Sequence, residues 1–246
     1  RSPSRGLGDV YKRQVMRDAV EKGTTGEGVE SVTGYTGHDA AKLRDYNEKN
    51  HALSGREMIE AVKGAVATNE VNAAMGIICA TPTAGSSGTI PGVLFKLEKT
   101  HDLTEDQMVD FLFTSALFGR VVANNASVAG ATGGCQAEVG SASAMAAAAS
   151  VAIFKGTPEQ SGHAMALAIS NLLGLVCDPV AGLVEIPCVM RNAIGSGNAL
   201  ISADLALAGV ESRIPVDEVI GAMDRVGRNL PASLRETGLG LSLIHI

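Results

Sequence analysis

The chain has 246 residues, 46% of them hydrophobic but only 3% aromatic, with 29 Gly, no Trp and a formal net charge of −6. That length suffices for one sizeable core, and an acidic balance without a basic block argues against nucleic-acid or anionic-membrane partners. No apolar run reaches the 18 or so residues of a membrane span, and four Cys with no legible signal segment suit a reducing cytoplasm, where thiols serve metals or catalysis more than disulfides.

The ends, residues 1–14 and 241–246, share no pattern with the body and are expected to be non-native sequence, leaving one domain over 15–240. In chain order, a Gly-rich break at 23–37 comes first, followed by Ser54-Gly-Arg-Glu57, whose capping-box spacing predicts a helix opening into 58–79. A second Gly-rich break spans 84–92. Thr104-Glu-Asp-Gln107 repeats the capping device ahead of Met108, Phe111, Leu112, Ser115 and Phe118, an apolar stripe of helical period. The break at 130–134 leads into an Ala-rich stretch over 137–153. Thr157-Pro158-Glu159-Gln160 adds Pro at the first helical position of another helix. Past the break at 174–182 lie an Ala-rich stretch at 198–209 and a helix start at Pro215, with Asp217 and Glu218 in its first turn. Period-two alternation is scarce. The expected fold class is all-α, a single helical domain whose Gly-rich loops carry the functional groups.

Three thiols stand at loop–helix junctions. Cys135 follows Ala129-Gly-Ala-Thr-Gly-Gly134, Cys177 lies in Leu175-Val-Cys-Asp-Pro-Val-Ala-Gly-Leu183, and Cys188 follows Ile186-Pro187 at a helix start. Backbone N–H groups at such junctions stabilise thiolate and anionic clusters. No Cys-x2-Cys pair occurs, so neither zinc-ribbon nor ferredoxin spacing applies. A buried Cys is otherwise a small hydrophobe, the reading preferred for Cys79 at the expected end of a helix. For the other three, spacing alone leaves packing and ligation both open.

Longer segments decide between them. Gly133-Gly-Cys-Gln-Ala-Glu-Val-Gly140, Cys177-Asp-Pro-Val-Ala-Gly-Leu-Val-Glu-Ile-Pro-Cys188 and Arg191-Asn192-Ala193 resemble the cluster-binding segments of iron–sulfur L-serine dehydratases. Asn69–Gly76, Thr81–Gly92 and Ser31–Asp39 are similar to further family segments, so the resemblance spans nearly all of 15–240. It implies a 4Fe-4S cluster held by Cys135, Cys177 and Cys188, with one iron free of protein thiolate to act as a Lewis acid in converting L-serine to pyruvate and ammonia. It also implies a partner β chain, of which no segment is legible here, and the loops at 31–39 and 84–92 are the surfaces expected to face it.

Around that cluster His38 is a candidate base, since imidazole titrates near working pH. Arg191, three residues after Cys188 on one helix face, is placed to clamp the substrate carboxylate. Ser31, Thr33, Thr83, Ser86 and Ser87 are the expected substrate contacts. Two of these have a plainer reading: for His38 a loop His bonding backbone, for Arg191 a surface or cluster-facing structural Arg. Glu70, Asn72, Asn124 and Asn125 remain undecided, His163 reads as a helical His, and His51 and His101 as surface residues. The Gly-rich 84–92 loop lacks the Gly-Lys-Ser/Thr of a phosphate cradle.

Two rival classes remain. A non-catalytic scaffold would lack the visible absorbance of a cluster. A pyridoxal-phosphate enzyme would be inhibited by carbonyl reagents, although Lys42, Lys63, Lys96 and Lys155 lack a recognisable Schiff-base motif.

Overall fold

A computed structural model of the chain describes residues 7–49 and 52–240; His51 lies outside them. Among the described residues ten α-helices and no strands occur, so the molecule is all-α. The helices are α1 (Leu7–Thr25), α2 (Asp39–Lys49), α3 (Arg56–Ala73), α4 (Thr89–His101), α5 (Glu105–Asn125), α6 (Gly130–Gly133), α7 (Ser141–Ile153), α8 (Pro158–Ser170), α9 (Cys188–Leu207) and α10 (Val216–Asn229). Residues 7–14, expected to lie outside the domain, begin α1, and buried Arg13 ion-pairs with Glu105 on α5.

The Ala-rich stretch makes the centre. Every residue of α7 from Ser141 to Val151 is buried, and α4, α5, α8 and α9 pack around it. A helix apolar on all sides belongs inside a core, and Ala side chains let neighbouring backbones come close. Asn198 on α9 donates to Ser143 Oγ at 2.8 Å and to the Ala168 carbonyl at 2.9 Å, tying α7, α8 and α9 together. A second hub is α3, against which α1, α2, α4 and α9 pack. Its crossing with α4 runs backbone to backbone: a Cβ on Gly92 would come within 2.6 Å of the Ala61 carbonyl oxygen.

Two expected capping boxes form, at Thr104 with Gln107 and at Thr157 with Gln160. The box expected at Ser54 does not. Gly55, at φ 87°, is the N-cap of α3 instead and has no side chain to cap with, and Glu57 reaches across to Lys96 Nζ at 2.9 Å on α4. That helix also ends at Ala73, so Cys79 sits half-buried beyond it rather than at its end.

Candidate functional site

The three thiols arrive from three separate segments. After α6 the chain turns at Gly134, whose φ of 76° and near contact with the Leu175 carbonyl exclude a Cβ, and delivers Cys135 to a single π-turn, Gln136–Gly140. Turns of this kind recur at functional sites. Gln136 fixes this turn from both ends of its side chain: Nε2 donates to the Met223 carbonyl at 2.9 Å and Oε1 accepts from Gly174 N–H at 2.9 Å. Cys177 sits on the irregular segment after α8, pinned through its N–H to the Leu234 carbonyl at 3.0 Å. Cys188 is the first residue of α9, and the N-terminal end of a helix favours negative charge.

All three thiols are buried, at 1%, 2% and 4% exposure for Cys135, Cys177 and Cys188. The Cys135 and Cys177 thiols hydrogen-bond to each other. The Cys177 thiol, with the Arg191 guanidinium assisting, holds Cys135 below the usual thiol range, and Cys177 is held above it. Burial pushes Cys188 up to about 12. Of the three sulfurs, Cys135 is the one whose surroundings favour charge.

Glu138, on the π-turn and 7% exposed, faces the thiols: its Oε2 lies 3.9 Å from Cys177 Sγ. Burial raises its carboxyl above the usual range, against hydrogen bonds that include the Thr83 hydroxyl. Glycine keeps the space beside it open. A Cβ on Gly130 would lie 2.8 Å from Glu138 Oε2 and 3.0 Å from Cys177 Sγ, and one on Gly85 would lie 3.2 Å from that carboxylate.

Other groups hold the walls. Asn192, fully buried one turn after Cys188, accepts from Gly88 N–H, Thr89 N–H and the Thr89 hydroxyl at 3.0–3.1 Å and donates to the Gly85 and Cys188 carbonyls at 2.7 and 2.9 Å. It thus locks the second Gly-rich loop to the helix carrying Cys188. That loop is buried from Gly85 to Gly92, which overturns its expected exposure to a partner: its amides and hydroxyls are consumed inside. Ser86 donates to the Thr81 carbonyl at 3.1 Å and Ser87 to Asn69 Oδ1 at 3.3 Å. Thr83, only partly buried, turns its hydroxyl to Ser86 and Glu138.

The first Gly-rich loop is bound to the segment between Cys177 and Cys188. Thr33 and Thr36 hydroxyls donate to the two oxygens of Glu185 at 2.7 and 2.8 Å, and Ser31 bonds Thr33 at 3.1 Å. Burial pushes Glu185 upward, but the hydroxyls of Ser31, Thr33 and Thr36 outweigh it and hold the carboxyl below its ordinary range. Glu70, undecided from sequence, accepts from the N–H groups of Gly37, Asp39 and Ala40 at 2.7–3.1 Å and so anchors the start of α2. His38 lies between two of these amides with its exposed side chain near Gly26. Arg191 donates to the Val176 carbonyl and faces Cys135, which places it at the thiols. Glu138, Glu185 and Asn192 escaped sequence reading as individual residues; all three lie in the segments that also supply the thiols, and only their contacts separate them from neighbours. Asn124 and Asn125 line a cleft of 470 Å³ with Asp224 and Arg228.

No helix of the described residues is long and apolar enough to cross a membrane. The family model for the serine dehydratase alpha chain matches residues 9–241. A probable L-serine dehydratase alpha chain of Bacillus subtilis is 63% identical over 230 residues, covering 94% of this chain and 76% of that protein. One from Latilactobacillus sakei is 68% identical over 183 residues, 74% of this chain and 88% of that protein. The L-serine dehydratase alpha chain of Peptoniphilus asaccharolyticus is 51% identical over 211 residues, 85% of this chain and 72% of that protein. A match over nearly the whole helical body, thiol segments included, settles the classification: the chain belongs to the serine dehydratase alpha-chain family.

Proposed function

We propose that this chain, over 15–240, is the catalytic alpha chain of a cytoplasmic L-serine dehydratase that releases pyruvate and ammonia, working with a β chain. The observation that carries the reading is the convergence of Cys135, Cys177 and Cys188 on one buried, glycine-walled space beside Arg191. The donor set fits a 4Fe-4S cluster: three sulfurs without a fourth, a guanidinium beside one and a helix N-terminus beneath another offset the charge of an anionic cluster. When bound, the cluster supplies a Lewis acid at the iron that no protein thiolate occupies.

The chain's own residues do the rest. Arg191, with donors left after its bond to the Val176 carbonyl, presents a fork for a carboxylate at the edge of the thiol space. Thr83 offers its hydroxyl from the opposite loop. Glu138, buried beside Cys177, lines the thiol space. Ser31, Thr33, Ser86 and Ser87 shape the two loops that border the site, and His38 remains the candidate base at the mouth of the first. Enclosure matters because charge developing at the substrate Cα is stabilised best where water is excluded. Iron and acid-labile sulfide content of anaerobically prepared protein, measured together with serine-dependent pyruvate formation with β chain added, tests the reading. Pyruvate formation in protein holding no iron would sink it.

A further inference from the structure

Sharing Cys177 with the three thiols is a second donor set. The ligand atoms of Glu138, Cys177 and Glu236 all fall within 4.8 Å of one another. Glu236, exposed and at φ 64°, is held there by its own N–H, which donates to the Cys177 carbonyl. Two carboxylates this close repel, yet among the described residues no Lys or Arg ion-pairs with either. The wall facing them is Gly130, where any side chain would strike both Glu138 and Cys177. A like-charged pair, a thiol and a space cleared by glycine describe a place for a cation. Metal–ligand bonds of about 2.0–2.3 Å set ligand atoms up to about 4.5 Å apart, so one ion bridges this group with little movement. One sulfur and two oxygens suit a divalent ion of the first transition row rather than Ca2+ or Mg2+.

We propose that Glu138, Cys177 and Glu236 bind a single divalent transition-metal ion in the cluster-free chain, Fe2+ being the ion taken up, as the point where iron enters the site. This rests on the reading of Cys177 as a cluster ligand. On binding, Cys177 loses its thiol proton to solvent, one metal–sulfur and two metal–oxygen bonds form, waters leave the ion, and no electron is transferred. Glu236, at the surface, meets the ion first, and buried Glu138 and Cys177 complete its capture.

Co2+ added anaerobically to the full, cluster-free chain reports the site through its thiolate-to-metal absorption. One equivalent should saturate the band. Glu138→Gln and Glu236→Gln should each weaken binding at least tenfold, Cys177→Ser should remove the band, and Cys188→Ser should leave band and affinity in place. Wild-type affinity in both Gln variants, loss of binding in Cys188→Ser, or no thiolate band at all overturns the proposal. Should Glu138→Gln fail to fold, as judged by circular dichroism, the surface variant Glu236→Gln decides the matter alone. Supplying iron and sulfide to the same preparation separates the two readings. A cluster formed by protein that never held Co2+ sinks this inference alone; Co2+ binding in protein that never forms a cluster sinks the functional reading alone.

Discussion

At the scale of single residues, the thiols divide by surroundings. Cys135 and Cys177 pack with Val139, Leu172 and Leu175, whereas Cys79 is half-buried with Lys12 as its charged neighbour. Replacing Cys135, Cys177 or Cys188 with Ser should remove cluster absorbance and turnover, because a hydroxyl is a poor iron ligand. Cys79→Ser should spare both, and a bleached Cys79→Ser beside a coloured Cys177→Ser would reverse the ligand assignment. Glu185 makes a second prediction. Its folded pKa lies below the ordinary value, so its stabilisation is present above about pH 4.3, the unfolded value, and is lost as pH falls through the folded one. Glu185→Gln should therefore cost about 1.5–3 kcal/mol at pH 7, the range for hydrogen bonds to a charged group. Urea midpoints of variant and wild type should converge as pH drops below the unfolded value of about 4.3 and on through the folded one; a gap independent of pH would show that charge is not what holds the first Gly-rich loop. The sequence marked the three Cys and Arg191 but not Glu185 or Asn192. An acid or amide inside a loop is ordinary until the hydroxyls and amides it satisfies are known, and those partners lie 152 residues away for Glu185 with Thr33 and 103 for Asn192 with Thr89.

At the scale of elements, helix starts were legible wherever the signal is local. Thr104 and Thr157 cap as their spacing requires, since a capping box involves only four consecutive residues. Ser54 has the same spacing and fails: Gly55 takes the N-cap position of α3, and Glu57 turns to Lys96 on a neighbouring helix that no local pattern reveals. Glycine shows the same division. Gly92 and Gly162 both lie within helices, where glycine is intrinsically unfavourable. A Cβ on Gly92 would strike the α3 backbone at 2.6–2.8 Å, while one on Gly162 would meet only the Val216 Cγ1 at 3.9 Å. Gly92→Ala should accordingly destabilise by about 1–3 kcal/mol through overpacking. Gly162→Ala should stabilise by about 0.5–1 kcal/mol through helix propensity. Thermal melts of both variants check the pair, and melting temperatures moving in the same direction would refute the backbone-contact account of the α3–α4 crossing.

At the scale of the whole molecule, the all-α class followed from Ala content and missing alternation, but the packing order around α7 and α3 did not, because one Ala-rich helix resembles another until contacts are known. Surface character was equally illegible. Of the two loops expected to meet a partner, 84–92 is interior from Gly85 onward, whereas the first exposes Val32 and Tyr35 at 88% and 57%. Thr33 and Thr36 fasten that loop to the segment leading into α9; that segment exposes Leu183 at 45%, and α9 exposes Met190 at 47% and Ile194 at 61%. Apolar side chains exposed on joined segments beside a buried site are what a partner chain would cover. The chain alone should thus be folded and able to hold its cluster, yet nearly inactive with L-serine until β chain is added. Turnover should then rise and saturate at a fixed ratio of the two chains. Val32→Glu combined with Ile194→Glu should shift that titration at least tenfold toward higher β-chain concentration, since a charge left in an interface core is poorly solvated. Cluster absorbance, which depends on the interior, should be unchanged in the double variant. Full turnover from the alpha chain alone would remove the partner from the mechanism, and an unshifted titration would move the docking face elsewhere on the surface.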